Sequence, residues 1–253
     1  EVSMLTTKSV RAGDKVFACQ GIVFDKDGTL IDVYSMLAAL GRERYKRLTE
    51  RVPESTLQWL DKCTGFDHEA GHVEPFGPLA SAGRDHEVVI SATALWLAGI
   101  PWYRAIQISI DAYDEVDRTY DPSTGVSLLP GAKETVKALF DAGFSLCIAT
   151  SDMHARAASQ LKDLGMLDYF EVIVGADDVE NIKPAPDPLL KCAELLGVPP
   201  QDLVMVGDAP QDAMMGRSSG AMTIGLLSGV GTAELLEGHC DVVVEGVKDI
   251  SPC

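Results

Sequence analysis

The sequence predicts an α/β fold in which a doubly wound parallel sheet carries an inserted all-helical domain. The first observation is an alternation in residues 1–33 and 126–253, where short apolar runs of strand length are followed by segments of helix length. The second is the stretch 34–125, where apolar residues recur at helical spacing and no convincing strand occurs. Strands that alternate with helices in this way are joined by right-handed crossovers, so helices are expected on both faces of the sheet.

The first strand is predicted from Val16 to Phe24, because this run is apolar and rich in β-forming residues. The residues before it, 1–14, are mixed and polar and lack a signal-peptide core, so they predict a loosely held lead-in. The helical insert begins near Tyr34. It is expected to contain four helices up to Thr119 and a loop over the glycine- and proline-rich stretch 64–83.

Five further strands are predicted after the insert, each preceded or followed by a helix. Glycines such as Gly143, Gly165 and Gly197 are expected to end those helices, since a helix commonly stops at a left-handed glycine. The strands are expected at residues 144–149, 171–174, 203–206, 221–224 and 242–244. The resulting core is a Rossmann-like sheet in residues 1–33 and 126–253, and residues 34–125 form the inserted helical domain.

The composition limits the function classes. Apolar residues make up 46% of the 253, which is enough for a large core, and charged residues make up 23%, which does not favour disorder. A net charge of −17 repels nucleic acid and anionic membranes, so neither is expected as a partner. The six cysteines form no C-x-x-C pair, which favours a reduced cytoplasmic protein over a disulfide framework. No apolar run has the length of a membrane span.

Side chains able to bind a metal or a phosphate follow four of the predicted strands. They are Asp25 and Asp27 after the first, Thr150 and Ser151 after the second, Lys183 after the third, and Asp208 and Asp212 after the fourth. Ligands of such sheets bind beyond the carboxyl ends of the strands, so these residues are expected to share one site. The two acids at 25 and 27, taken alone, also fit a solvated turn. The whole set suits phosphoryl transfer, because carboxylates hold a hard Mg²⁺ while hydroxyl and lysine groups hold phosphate oxygens.

The four segments resemble the motifs of the haloacid dehalogenase-like hydrolases, and the branch they resemble most is the phosphoglycolate phosphatase-like one, with a helical cap. In order, the motifs are Asp25-Lys26-Asp27-Gly28-Thr29, Ile148-Ala149-Thr150-Ser151, Lys183-Pro184, and Gly207-Asp208-Ala209-Pro210-Gln211-Asp212. One such motif is weak evidence, but four in the expected order are specific. The resemblance covers nearly the whole chain and implies the strand order 5-4-1-2-3, with the Asp25 strand beside the Asp208 strand.

The resemblance also implies a mechanism. Asp25 is expected to attack phosphorus and form an aspartyl-phosphate, and Asp27 to protonate the leaving oxygen and then deprotonate the attacking water. Mg²⁺ is the implied cofactor, with Asp25, the backbone carbonyl of Asp27, Asp208 and Asp212 as its expected ligands. Thr150, Ser151 and Lys183 are expected to hold the transferring phosphoryl group.

The implied substrate is a small phosphorylated metabolite such as 2-phosphoglycolate. The cap is expected to supply specificity, with Arg84 as a candidate contact for a substrate anion, although a solvated cation on a helix fits Arg84 as well. A dehalogenase is excluded, since that branch lacks the acid at the position of Asp27. A sugar-phosphate mutase of the β-phosphoglucomutase type and a non-catalytic binding protein on the same fold stay open, as does the oligomeric state.

Overall fold

The computed structural model describes residues 8–75, 77–121 and 125–253. Contacts within the chain divide it into two compact units. The core unit comprises residues up to 32 and from 127 to 253, and the helical unit comprises residues 33–126. Within the described residues, no helix combines the length and the apolar character needed to cross a membrane.

The core unit is built on a six-stranded parallel sheet. In chain order its strands are β3 (Gly21–Phe24), β6 (Ser145–Ala149), β7 (Val172–Val174), β8 (Leu203–Gly207), β9 (Met222–Leu226) and β10 (Val242–Val244). The spatial order is β10-β9-β8-β3-β6-β7, with β3 between β6 and β8. The α/β fold class and its parallel sheet, predicted from the sequence, are therefore confirmed. Every residue of β3 and β8 is buried, as expected for central strands covered on both faces.

Helices cover both faces of this sheet. They are α6 (Ala132–Asp141), α7 (His154–Asp163), α8 (Asp187–Leu196), α9 (Pro210–Ser219) and α10 (Ala233–Glu237). Ile22 and Phe24 of β3 pack into one hydrophobic cluster with residues of α6 and α7, while Val23 packs into another with residues of α8 and α9. Successive side chains of a strand point to opposite faces, so this division identifies a doubly wound sheet.

The start of the chain differs from the prediction. The run from Val16 to Phe24 is not one strand: it divides into β2 (Lys15–Ala18) and β3. The expected lead-in contains strand β1 (Ser9–Ala12), which pairs antiparallel with β2 and with β11 (Ile250–Pro252). The lead-in prediction was wrong for residues 9–12, and residues 1–7 lie outside the described part. The strand pairs that hold residues 9–12 come from both ends of the chain, which local apolar patterning does not reveal.

The helical unit contains α1 (Val33–Thr49), α2 (Leu57–Thr64), α3 (Pro78–Ser81), α4 (Arg84–Leu97) and α5 (Trp102–Thr119). The prediction that this insert has no strand was wrong, because β4 (Phe66–Asp67) and β5 (His72–Val73) pair antiparallel in a short hairpin. Phe66 and Val73 of the hairpin are buried in the apolar core of the unit with residues of α1, α2, α4 and α5. Short 3₁₀ turns complete the fold at Glu54–Thr56, Leu167–Tyr169, Ala176–Asp178, Pro200–Asp202 and Val247–Asp249.

Candidate active site

Three neighbouring strands place side chains at one edge of the sheet. Phe24 of β3 is in register with Ile148 of β6 and with Val206 of β8. Asp25 and Asp208 therefore follow adjacent strand ends, and the Asp25 N–H donates to the carbonyl of Val206 at 2.8 Å. The parallel register explains how residues nearly two hundred positions apart in the chain come to share a site.

The central feature is a cluster of three buried carboxylates. Asp25, Asp208 and Asp212 are 8%, 2% and 3% exposed, and each offers an oxygen within 4.8 Å of the other two. The Nζ of Lys183 lies 2.6 Å from Asp25 Oδ1 and 2.6 Å from Asp212 Oδ1. One lysine offsets only part of the negative charge, so the cluster is suited to a further cation bound through oxygen.

The titration of the cluster reflects burial and mutual repulsion. Burial raises the pKa of Asp208 well above its ordinary value, and the charges of Asp25 and Asp212 raise it further. Burial also raises the pKa of Asp212, against the attraction of Lys183. Burial alone would lower the pKa of Lys183, but the adjacent Asp212 and Asp25 outweigh it and raise that pKa. Lys183 is therefore a permanent cation at neutral pH.

Backbone and glycine contacts hold Asp208 in place. The N–H of Val230 donates to Asp208 Oδ2 at 2.7 Å, and the Thr29 hydroxyl donates to Asp208 Oδ1 at 3.3 Å. Gly28 has φ +86°, and a Cβ built there would lie 2.4 Å from Asp208 Oδ2; at Gly229 it would lie 1.9 Å away. Both glycines are required by this close approach to the carboxylate. The contribution of the segment 228–231 after β9 was missed in the sequence, where its glycines were the available signal.

Asp27 is paired with a buried lysine that sequence reasoning also missed. The Nζ of Lys26 donates to Asp27 Oδ1 at 2.6 Å and to Asp27 Oδ2 at 2.7 Å. Lys26 is 0% exposed. Burial raises the pKa of Asp27; Lys26 lowers it, and the charge of Asp25 raises it. The two acids of the first motif therefore have different partners, Lys183 for Asp25 and Lys26 for Asp27.

The residues after β6 form a turn. Thr150 is buried, and its hydroxyl accepts a hydrogen bond of 3.1 Å from the Asp152 N–H. Ser151 is exposed. The Thr150 N–H donates to the carbonyl of Val174 on β7, which ties the turn to the neighbouring strand. Thr150 follows the strand next to β3, and its role in binding phosphate stays a prediction.

The family-model comparison agrees with this arrangement. The model of the haloacid dehalogenase-like hydrolases matches residues 19–220. The chain belongs to the haloacid dehalogenase-like hydrolases. The resemblance inferred from the four motifs is thereby confirmed.

Relatives of this haloacid dehalogenase-like hydrolase agree with that assignment. A phosphoglycolate phosphatase from Shigella boydii is 30% identical over 245 residues, which covers 92% of this chain and 91% of the relative. A hydrolase of the same family from Deinococcus radiodurans has a TM-score of 0.64 at 22% identity, covering 90% of this chain and 92% of the other. A proposed β-phosphoglucomutase from Thermotoga maritima has a TM-score of 0.61 at 20% identity, with 91% and 95% covered. These two structures support the fold alone.

Arg84, the candidate specificity residue, lies at the start of α4 in the helical unit of the hydrolase. Its guanidinium pairs with the carboxylates of Asp114 and Asp117 on α5, and these partners raise its pKa, with the hydrogen bond to Asp117 as the largest cause. Donors that already bind two carboxylates leave less capacity for a substrate anion. A role for Arg84 in specificity stays a prediction.

The three-aspartate cluster fits a divalent metal such as Mg²⁺. Its donors are carboxylate oxygens, its members are buried, and the glycines at 28 and 229 let the backbone pack against the Asp208 carboxylate and hold it in the cluster. Among the described residues, Asp25, Asp208 and Asp212 form the group of carboxylates that could hold the ion. Participation of the Asp27 backbone carbonyl stays a prediction.

Substitution of Gly229 by alanine is expected to weaken metal binding. The new Cβ would overlap Asp208 Oδ2 and turn the carboxylate away from the cluster, so the half-saturating Mg²⁺ concentration should rise about 10-fold or more, as loss of a supporting contact does. The matched control is Gly238→Ala, where a Cβ meets nothing within 4 Å and no rise is expected. Titration of activity with Mg²⁺ measures both, and equal Mg²⁺ requirements in the two variants would contradict the prediction.

Proposed function

We propose that this phosphoric monoester hydrolase removes phosphate from a small phosphorylated metabolite, with 2-phosphoglycolate as the first substrate to test. The observation that supports it best is the convergence of Asp25, Asp208, Asp212 and Lys183 in one buried cluster. The proposed cofactor is Mg²⁺. The proposed compartment is the cytoplasm, as the cysteine pattern predicts.

We propose one chemical role for each acid of the first motif, as the family resemblance implies. Asp25 is the nucleophile: one of its oxygens bonds to phosphorus while the bond from phosphorus to the ester oxygen breaks. Asp27 transfers its proton to that oxygen, which leaves as an alcohol. Asp27 then accepts a proton from the water that attacks phosphorus, the bond to Asp25 breaks, and inorganic phosphate and the Asp25 carboxylate result.

Lys183 supports the nucleophile in this scheme. Its ammonium contacts Asp25 directly and remains charged, so it orients the attacking carboxylate and opposes the negative charge gathered in the cluster. A bound Mg²⁺ supplies further positive charge for the phosphoryl oxygens when they enter. Thr150 is proposed to donate to one of those oxygens.

A panel of phosphomonoesters tests the proposal. With Mg²⁺, purified protein is expected to release phosphate from 2-phosphoglycolate and from an aryl phosphate, and a chelator should stop both reactions because the cluster then lacks its cation. A parallel series with a hexose monophosphate, with and without the corresponding sugar bisphosphate, detects isomerisation. The expected result is hydrolysis without isomerisation. Isomerisation stimulated by the bisphosphate would instead identify a mutase, and ligand binding without turnover of any ester would identify a binding protein.

A further inference from the structure

Lys26 is a buried cation whose position the proposed reaction does not yet use. It stands between the two acids of the first motif, and it is 0% exposed. Lysine is almost never fully buried unless it is paired, because removing the ammonium group from water is costly. The partners of its ammonium group therefore indicate the role of Lys26.

The ammonium group of Lys26 contacts three other parts of the core unit. Both oxygens of Asp27 lie within 2.7 Å, and the Oε1 of Gln160, on α7, lies 2.6 Å away. Asp152 Oδ2, in the turn after β6, lies 3.4 Å away. The same Asp152 donates its N–H to the hydroxyl of Thr150. Lys26 thus connects Asp27 to the turn that carries the predicted phosphate-binding threonine.

We propose that Lys26 is a positioning residue that acts through Asp27. It holds the Asp27 carboxyl group in the orientation from which that group exchanges protons with the leaving oxygen and the attacking water. The inference rests on the proposed function, since it assigns Lys26 a part in those two proton transfers.

Geometry gives the reason. A carboxylate whose two oxygens contact one fixed ammonium group has little freedom to rotate about its side-chain bonds. The Asp27 side chain is 28% exposed, so without Lys26 it can turn toward solvent. Proton transfer requires the donor within hydrogen-bond reach of its target, and a displacement of about 1 Å can cost about 100-fold in rate.

A comparison of substrates with different leaving groups distinguishes a positioning role of Lys26 from a role in stability alone. An aryl oxide is a good leaving group and departs from phosphorus with little help from an acid, whereas an alkoxide requires a proton. Hydrolysis of the aspartyl-phosphate requires a base with either substrate. A misplaced Asp27 therefore slows both steps with an alkyl phosphate but only the second step with an aryl phosphate.

The first test is Lys26→Met, which keeps an unbranched side chain one atom shorter than lysine and removes its charge. With 2-phosphoglycolate, kcat is expected to fall about 100-fold. With an aryl phosphate, rapid mixing is expected to show a burst of close to one equivalent of aryl alcohol per active site, followed by slow turnover. The control is Gln160→Met, which removes a contact of Lys26 but not its pairing with Asp27, and which is expected to keep the wild-type ratio of alkyl to aryl rates.

A double-mutant cycle with Asp27→Asn completes the test. If Lys26 acts through Asp27, Lys26→Met should change kcat by less than about threefold in the Asp27→Asn background, because the two effects are coupled. If Lys26→Met does not fold, Lys26→Gln takes its place in all assays. Glutamine keeps an N–H donor at the site, so this variant is expected to retain part of the activity on the alkyl phosphate.

Equal losses in kcat/KM, which reports the first step, on both classes of substrate, the absence of a burst with the aryl phosphate, or the same loss with and without Asp27 would overturn the role of Lys26. Such results require an active wild type, so they leave the proposed function standing. A wild type that hydrolyses no ester would overturn the proposed function itself.

Discussion

Replacing Asp25 by asparagine is expected to abolish phosphate release, with kcat lowered by about 10⁴-fold or more, since loss of a catalytic nucleophile typically has an effect of this size or larger. The amide has nearly the shape of the carboxylate, but it does not form a bond to phosphorus. It also replaces one carboxylate of the buried cluster with a neutral group, which lowers the repulsion among the acids. The variant is therefore expected to fold, and its loss of activity reports the lost nucleophile. Phosphate release from 2-phosphoglycolate and from an aryl phosphate at saturating Mg²⁺ measures the effect.

A second readout identifies the step. Wild-type protein quenched in acid during turnover of a ³²P-labelled ester should carry label on the chain, and Asp25→Asn should carry none. The control is Asp141→Asn, at the end of α6, where the carboxylate is exposed and pairs with Lys137 one helical turn away. Its activity should stay within about twofold of wild type, because exposed pairs of this kind contribute little. Release by Asp25→Asn above a tenth of the wild-type rate would exclude Asp25 as the nucleophile.

The core of this site was predictable because one rule of sheet topology places its members together. Parallel strands deliver the residues that follow them to the same edge. Asp25 and Asp208 each follow a fully buried apolar run, and their strands pair directly. The same rule placed Lys183 at this edge, because it follows the third predicted strand. Its two contacts of 2.6 Å with aspartates were not readable from spacing.

The parts that were missed depend on partners distant in sequence. Lys26 would ordinarily be expected in solvent, and only Gln160, 134 positions away, together with the neighbouring acids makes its burial tolerable. Gly229 lies after β9 at the same edge of the sheet and is visible in the sequence as a glycine, but its partner Asp208 is brought to it only by the fold. Strand β1 pairs with β11 across nearly the whole chain. In each case the local sequence pattern did not predict the contact, because the two partners are brought together only by the tertiary structure.

In the helical unit, the largest effect on stability is expected from Glu87→Ala, with a loss of about 3–5 kcal/mol in the free energy of unfolding. Arg44 of α1 and Glu87 of α4 form a buried ion pair, at 6% and 7% exposure, and the Arg44 guanidinium lies 4.5 Å from the ring centre of Tyr113 on α5. Alanine leaves the guanidinium buried without the carboxyl group that accepts its hydrogen bond, and its Nε already lacks a hydrogen-bond partner. All three tryptophans of the chain lie in this unit, so their fluorescence during urea unfolding measures it.

Arg84→Ala is the contrasting control, because it breaks ion pairs that are partly exposed, and its effect on the free energy of unfolding should stay below about 1 kcal/mol.

The pH dependence of stability then tests the buried pair of Arg44 and Glu87 itself. Burial raises the pKa of Glu87 from 4.5 to about 7, against the attraction of Arg44. The folded state therefore binds a proton more readily than the unfolded state, so the contribution of Glu87 to stability is present below pH 4.5 and declines as the pH rises to about 7. Glu87→Gln does not titrate, and the stability of wild type relative to this variant should decline over the same range. A difference that stays constant with pH, or a loss in Glu87→Ala no larger than in Arg84→Ala, would show that the pair is not desolvated in solution.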